Sequence, residues 1–173
     1  MEIIPAFDIT RQYQTLRHEL DEVFARVMAG GSYILGEEVK AFEKEFANYC
    51  GAPYAIGVAS GTDALILSLL ACGVGAGDEV IAPSHTAVAT IAAIELTGAR
   101  PVLVDIDLTR YTLDPEQVSY AITERTRAII PVHLYGCPAD MNPILEMAAK
   151  KKITVIEDAS QAHGASISGR RVG

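Results

Sequence analysis

Cysteine is scarce in this 173-residue chain: Cys50, Cys72 and Cys137 lie far apart and form no CxxC pair. An odd, scattered set makes no disulfide framework and suits free buried thiols in a reducing, cytoplasmic setting. Basic residues are in the minority as well. Fourteen Lys and Arg against twenty-two Asp and Glu leave a net charge of −8 and a pI near 4.9. Nucleic acid, whose phosphates call for a basic face, is therefore not an expected partner. Long hydrophobic runs are missing. The longest, Ala64–Val74, is broken by Ser68 and is too short to span a bilayer, so no membrane role is expected. Met1–Ile9 carries Glu2 and no basic residue, unlike a secretory leader. No group of His and Cys has metal-ligand spacing, so no metal is expected, and neither a G-K-[ST] loop nor a G-x-S-x-G elbow occurs. The glycines of Gly73-Val74-Gly75-Ala76-Gly77 are not a dinucleotide loop: the spacing is wrong and they precede a strand, which makes them a turn.

What is present is the material of a globule. Hydrophobic residues make up 50% and charged residues 21% of the chain, near the average for soluble proteins. A chain of this size buries roughly 70% of its extended surface, enough to offset its ordering entropy. Tyr13, Leu16, Leu20, Val23 and Val27 recur at helical spacing, as do Val39, Phe42, Phe46 and Tyr49. The glycine-rich link Gly30–Gly36 continues neither helix. Beyond it, short apolar runs at Tyr54–Val58, Glu79–Ala82, Pro101–Val104, Arg127–Val132 and Ile153–Ile156 alternate with helical patterns near 62–72, 86–97, 114–122 and 143–151. Such alternation predicts one α/β unit: a mainly parallel sheet with right-handed crossovers and helices on both faces. Asp114 before Pro115 and Asn142 before Pro143 are expected helix caps, and Lys150–Lys152 complement a helix dipole. Helices 62–72 and 86–97 are apolar nearly all round and belong inside a layered domain or at a subunit interface.

In open parallel sheets, ligands bind beyond the carboxyl ends of the strands. The loop Ala59-Ser60-Gly61-Thr62-Asp63-Ala64-Leu65 pairs a close-turning glycine with the free N–H groups of a helix start, a cradle for phosphate. The same Ser60 and Asp63 also spell a capping box, and both readings can hold together. The loop Glu157-Asp158-Ala159-Ser160-Gln161-Ala162-His163-Gly164 runs an apolar strand straight into carboxylates. There Asp158 or Glu157 would hold a cationic ligand nitrogen protonated, or would form a solvated pair beside a backbone-bonded histidine. Pro83-Ser84-His85-Thr86 and Val132-His133-Leu134-Tyr135-Gly136 offer a ring face or a donor, with a structural histidine as the alternative.

Together, Ser32–Gly36, Ala59–Leu65, Gly75–Ile81, Pro131–Gly136, Pro138–Met141 and Ile156–Ala165 resemble the DegT/DnrJ/EryC1/StrS aminotransferases, in the right order and with little insertion. The resemblance implies the aspartate-aminotransferase fold (fold type I of the pyridoxal-phosphate enzymes), with pyridoxal 5'-phosphate as cofactor. By that resemblance, Ser60, Gly61, Thr62 and Asp63 hold the cofactor phosphate, Asp158 pairs with the pyridine nitrogen, Gln161 contacts the ring-hydroxyl side, and His163 stands behind them. Many relatives carry a stacking aromatic where this chain has Ala87, which leaves His85 or another side chain to cover the ring face. Ser160 replaces a common alanine. The family's Schiff-base lysine lies beyond the region matching Gly169–Gly173, and Lys40, Lys44 and Lys150–Lys152 sit on helices where none can replace it. Residues 1–173 are therefore expected to be the N-terminal part of the cofactor-binding large domain, without the small C-terminal domain.

The implied reaction moves an amino group from an amino acid, glutamate by preference, to a nucleotide-linked keto-sugar in a homodimeric enzyme. The Val132–Gly136 and Pro138–Met141 segments resemble the 3-keto enzymes more than the 4-keto ones. Two alternatives share the same upstream residues. One is a pyridoxamine-phosphate-dependent keto-sugar dehydratase, in which histidine replaces the lysine. The other is a truncated, non-catalytic chain acting only in assembly.

Overall fold

The computed structural model describes residues 4, 5 and 7–173. Of the Met1–Ile9 stretch read above, Met1–Ile3 and Ala6 lie outside the described residues. The chain falls into two compact units, 1–57 and 58–173, rather than the single unit expected.

The first unit is helical. α1 (Thr10–Gly30) ends where Gly31 takes a left-handed φ of 70°, and α2 (Glu37–Cys50) begins after Gly36. A cap with φ near +70° suits glycine because it has no Cβ to clash. The Arg26 guanidinium donates to Glu38, 2.8 Å from Nε and 2.7 Å from Nη2, and joins the two helices. Phe42, Phe46 and Tyr49 stack along α2 at centroid distances of 5.4 and 6.1 Å.

The second unit carries the sheet. Strands β1 (Glu79–Pro83), β2 (Arg100–Val104), β3 (Thr126–Ile129) and β4 (Thr154–Val155) are all parallel, in the order β2-β1-β3-β4. Helices α3 (Gly61–Ala71) and α4 (Val88–Leu96) pack together, as do α5 (Pro115–Ala121) and α6 (Met141–Lys151). Side chains alternate across each strand, and the core divides accordingly. Val80, Ala82, Ala128 and Ile130 join Leu65, Leu69, Ala93 and Ile94 from α3 and α4. Ile81, Ile129 and Val104 join Val118, Ile144 and Ala148 from α5 and α6. Each large aliphatic side chain removed from water in this way contributes about 1.5–3 kcal/mol. The sheet thus has helices on both faces, as its alternating pattern predicted.

Some expectations are corrected. Tyr54–Val58 has the composition of a strand but pairs with no strand among the described residues. Tyr54 and Ile56 are exposed, and the Gly57 N–H donates to Glu43 Oε1 at 2.7 Å instead of to a ladder. α6 starts at Met141, so Asn142 is not its cap; Asp140 holds that place without a side-chain bond. Pro143 fits in the first turn because the N–H it lacks would have no partner within the helix. Asp114 does cap α5, accepting the Glu116 N–H at 2.8 Å. No cysteine is fully buried: Cys72 is exposed, and Cys50 and Cys137 are half-buried. α3 and α4 bury one side each and expose Leu67, Leu70, Val88 and Leu96 on the other. A hairpin of β5 (Ser166–Ile167) and β6 (Arg170–Arg171), turned by Ser168 and Gly169 at φ 51° and 81°, was not foreseen.

Candidate active site

The chain leaves β1 toward β2 on one side and returns across it to β3 on the other. The gap between the loops following β1 and β3 is a topological switch point, where open sheets bind ligands. A cavity of about 250 Å³ opens there, lined by Gly61, Thr62, Leu65, Thr86, Ala87, Ala89, Val132, Leu134, Asp158, Ser160 and Gln161.

Four of the site residues named from the sequence thus share one cavity: Gly61, Thr62, Asp158 and Gln161. Ser60 and Asp63 do not line it. The Ser60 hydroxyl accepts the Asp63 N–H at 3.1 Å and donates to Asp63 Oδ2 at 2.9 Å, so the pair caps α3 and directs its first turn at the cavity. His85 is exposed just before Thr86. Its ring lies 6.4 Å from that of Tyr111 and 6.0 Å from that of Tyr135, whose hydroxyl bonds His85 Nε2 at 3.2 Å. His163 is exposed and outside the lining.

The carboxylate left open by the sequence is resolved by strand alternation. Asp158 faces the cavity, whereas Glu157 points to the other side. There Glu157 Oε2 accepts from His133 Nε2 at 2.9 Å and from the Gly173 N–H at 3.0 Å. The bond from His133 is the largest cause holding the Glu157 carboxyl below its usual range. Of the Asp158 oxygens, Oδ1 accepts the Ser160 N–H at 3.1 Å and its hydroxyl at 2.6 Å, which leaves Oδ2 for a ligand. Gln161 Oε1 accepts the Tyr135 N–H at 2.8 Å, so its NH₂ group remains as a donor. Tyr135 holds a left-handed φ of 56°, a conformation that side chains adopt only under constraint.

Ser160, which replaces a common alanine, bonds Asp158 through both its N–H and its hydroxyl, a contact that motif comparison does not show. An Asx-type bond two residues along gives a sequence signal for it. Ser160→Ala in the full-length protein is expected to lower turnover about fivefold, the value of one hydrogen bond of about 1 kcal/mol, with the melting temperature lowered by at most a few degrees. Steady-state rates and a melting curve check this.

The donor set suits a flat, anionic, cationic-nitrogen ligand such as pyridoxal phosphate. Free helix N–H groups would face a phosphate, a carboxylate a pyridinium, and an amide donor a phenolic oxygen. No helix among the described residues is long and apolar enough to cross a membrane.

The family model of the DegT/DnrJ/EryC1/StrS aminotransferases matches residues 14–173. The dTDP-3-amino-3,4,6-trideoxy-alpha-D-glucose transaminase of Streptomyces venezuelae is 51% identical over 170 residues, covering 98% of this chain and 45% of that protein. The UDP-2-acetamido-2-deoxy-3-oxo-D-glucuronate aminotransferase of Pseudomonas aeruginosa is 48% identical over 98% of this chain and 47% of its own length. The crystal structure of S. venezuelae DesV superposes with a TM-score of 0.98 at 50% identity, over 100% of this chain and 47% of that one. NtdA of Bacillus subtilis, solved with bound cofactor PMP, gives 0.92 at 35% identity, over 99% and 40%. The chain spans about half the length of these relatives.

Proposed function

The chain belongs to the DegT/DnrJ/EryC1/StrS aminotransferase family, and from that premise we propose that the whole protein transfers an amino group from an amino acid, glutamate by preference, to a nucleotide-linked 3-keto sugar. The donor leaves as its 2-oxo acid and the keto carbon becomes an amine. Pyridoxal phosphate, implied by the family, supplies an electron sink when bound. In this reading the first turn of α3, with Gly61 and Thr62, binds the phosphate. Asp158 Oδ2 holds a ring nitrogen protonated, the Gln161 amide donates on the ring-hydroxyl side, and His85 covers a ring face beside the small Ala87. Ser60 and Asp63 act through the shape of the helix cap, and His163 stands behind the Asp158 loop.

The observation that carries the reading is the convergence of Gly61, Thr62, Asp158 and Gln161 on one cavity at the switch point. The Streptomyces venezuelae and Pseudomonas aeruginosa relatives are named for a 3-amino and a 3-oxo sugar, which supports the 3-keto position. No lysine lines the cavity, and α6 sets Lys150 and Lys151 at the end of the sheet where the strands start. The Schiff-base lysine is accordingly assigned to the part of the protein that follows the large-domain region 1–173, together with the small domain. We place the enzyme in the cytoplasm as a homodimer. The free thiols support the first assignment, and the exposed apolar side chains of α3 and α4 support the second.

Full-length protein incubated with pyridoxal phosphate, glutamate and dTDP-linked 3-keto sugars should release an aminosugar. No product from any keto-sugar, with no amino-group uptake from glutamate, would sink the proposal. Thr62→Ala should raise the cofactor concentration for half activity about tenfold, the worth of one bond to a charged oxygen at about 1.5 kcal/mol, and leave the saturated rate close to wild type. A cofactor titration of apoenzyme measures it.

A further inference from the structure

We propose that His133 and Glu157 form a positioning pair that fixes Asp158 from behind the cavity. His133 has no exposed surface, yet it is polar and faces away from the ligand side. Its Nδ1 accepts the Ala139 N–H at 3.0 Å, so the ring's proton sits on Nε2 and is donated to Glu157 at 2.9 Å. A buried imidazole with both nitrogens engaged has one orientation, and it gives Glu157 one orientation in turn.

The need for such a pair lies in the sheet. β3 and β4 share only two register pairs, Ala128↔Thr154 and Ile129↔Val155. Pro131 then brings no N–H to the ladder. Past it the strands meet only in the bridge Val132↔Asp158, through Asp158 N–H to Pro131 O at 2.9 Å and His133 N–H to Asp158 O at 3.0 Å. His133 and Glu157 flank this bridge and cross-link it with side chains on the face opposite the cavity. Glu157 Oε2 also takes the Gly173 N–H at 3.0 Å, which ties in the segment after the β5–β6 hairpin. An error in that bridge moves Asp158 directly, and a misplacement near 1 Å at a reacting group costs about 100-fold.

The inference rests on the reading of Asp158 as the partner of a ring nitrogen. It is tested in the full-length holoenzyme by a double-mutant cycle. His133→Phe keeps a ring of similar size and removes both bonds. Turnover should fall about 10- to 100-fold, and the absorption band of bound pyridoxal phosphate should move toward that of Asp158→Asn. In the Asp158→Asn background, His133→Phe should add less than about a twofold further loss and no further band shift. Glu157→Gln retains an oxygen that accepts both bonds and should lose far less than Glu157→Leu, which keeps the cycle readable should His133→Phe fail to fold. An effect of His133→Phe that is equally large in both backgrounds overturns the pair, as does a Glu157→Leu holoenzyme with wild-type spectrum and rate. An Asp158→Asn enzyme that is itself normal overturns the reading of the site instead.

Discussion

Replacing Asp158 with Asn in the full-length enzyme is expected to cut turnover by about 100- to 1,000-fold at saturating cofactor, the usual cost of removing one fixed electrostatic partner. The local fold should survive. The backbone bonds to Pro131 and His133 do not involve the side chain, and the Asn oxygen still accepts from Ser160. What changes is the second atom. Oδ2 accepts and carries charge, whereas an amide in its place donates, so the variant favours an unprotonated ring nitrogen where the carboxylate favours a protonated one. Because Gly61 and Thr62, the proposed phosphate contacts, are untouched, cofactor affinity should change much less than rate. Rates on a keto-sugar together with a cofactor titration separate the two effects. Wild-type turnover in this variant would remove Asp158 from its role. Glu157 would not inherit it, since its carboxylate is bonded to His133 and Gly173 on the far side of the strand.

The parallel sheet was legible because its signals are local. Alternating apolar runs and helix-length patterns gave β1, β2, α3, α4 and α5 nearly to the residue, and Asp114-Pro115 marked a start that a capping bond confirms. Tyr54–Val58 shows the limit of such reading. Its residues favour extended backbone, but a strand is a relation between two segments, and no local pattern states whether the partner is at hand. The start of α6 was misread for a related reason: proline fits several places in a first turn, and Asn142 next to it was the wrong one to choose.

The site divides in the same way. Motif resemblance picked out Thr62, Asp158 and Gln161, which strand ends and a helix start bring to one cavity. Ser60 and Asp63 form the capping box that their spacing spells, and Asp158, the carboxylate named by the resemblance, is the one of the adjacent pair that lines the cavity. The residues by themselves leave Asp158 and Glu157 open, because β4 ends at Val155 and parity beyond it is set by the Val132↔Asp158 bridge. Of the two readings of His133, a ring donor for the ligand or a structural histidine, its complete burial outside the cavity lining fits the second.

At the other end of β1, roughly 15 Å from the cavity at about 3.3 Å per strand residue, Glu79 controls stability rather than chemistry. Its side chain is 1% exposed, accepts from Arg100 at 2.6 Å and the Thr123 hydroxyl at 2.7 Å, and forms an ion pair with Arg125 at 2.7 Å. It thereby joins the starts of β1 and β2 to the turn before β3. The Thr123 and Arg100 bonds, with the charge of both arginines, hold its pKa at about 2 against an ordinary 4.5, although burial works the other way. A carboxylate whose folded pKa is depressed contributes stability in full above its unfolded value and loses it as pH falls toward the folded value. A shift of that size corresponds to about 3 kcal/mol, reduced to about 2 because both arginines are largely exposed to water. Glu79→Gln should therefore lower the unfolding free energy of the full-length protein by about 2 kcal/mol at pH 7, seen as an earlier urea midpoint. The gap to wild type should shrink by about half at pH 3 and close near pH 1, where the wild-type carboxyl is protonated too. Activity per folded molecule should stay at the wild-type level, since no bond of Glu79 reaches the cavity. An equal loss of stability at pH 7 and pH 3 would mean that shape rather than charge holds this end of the sheet.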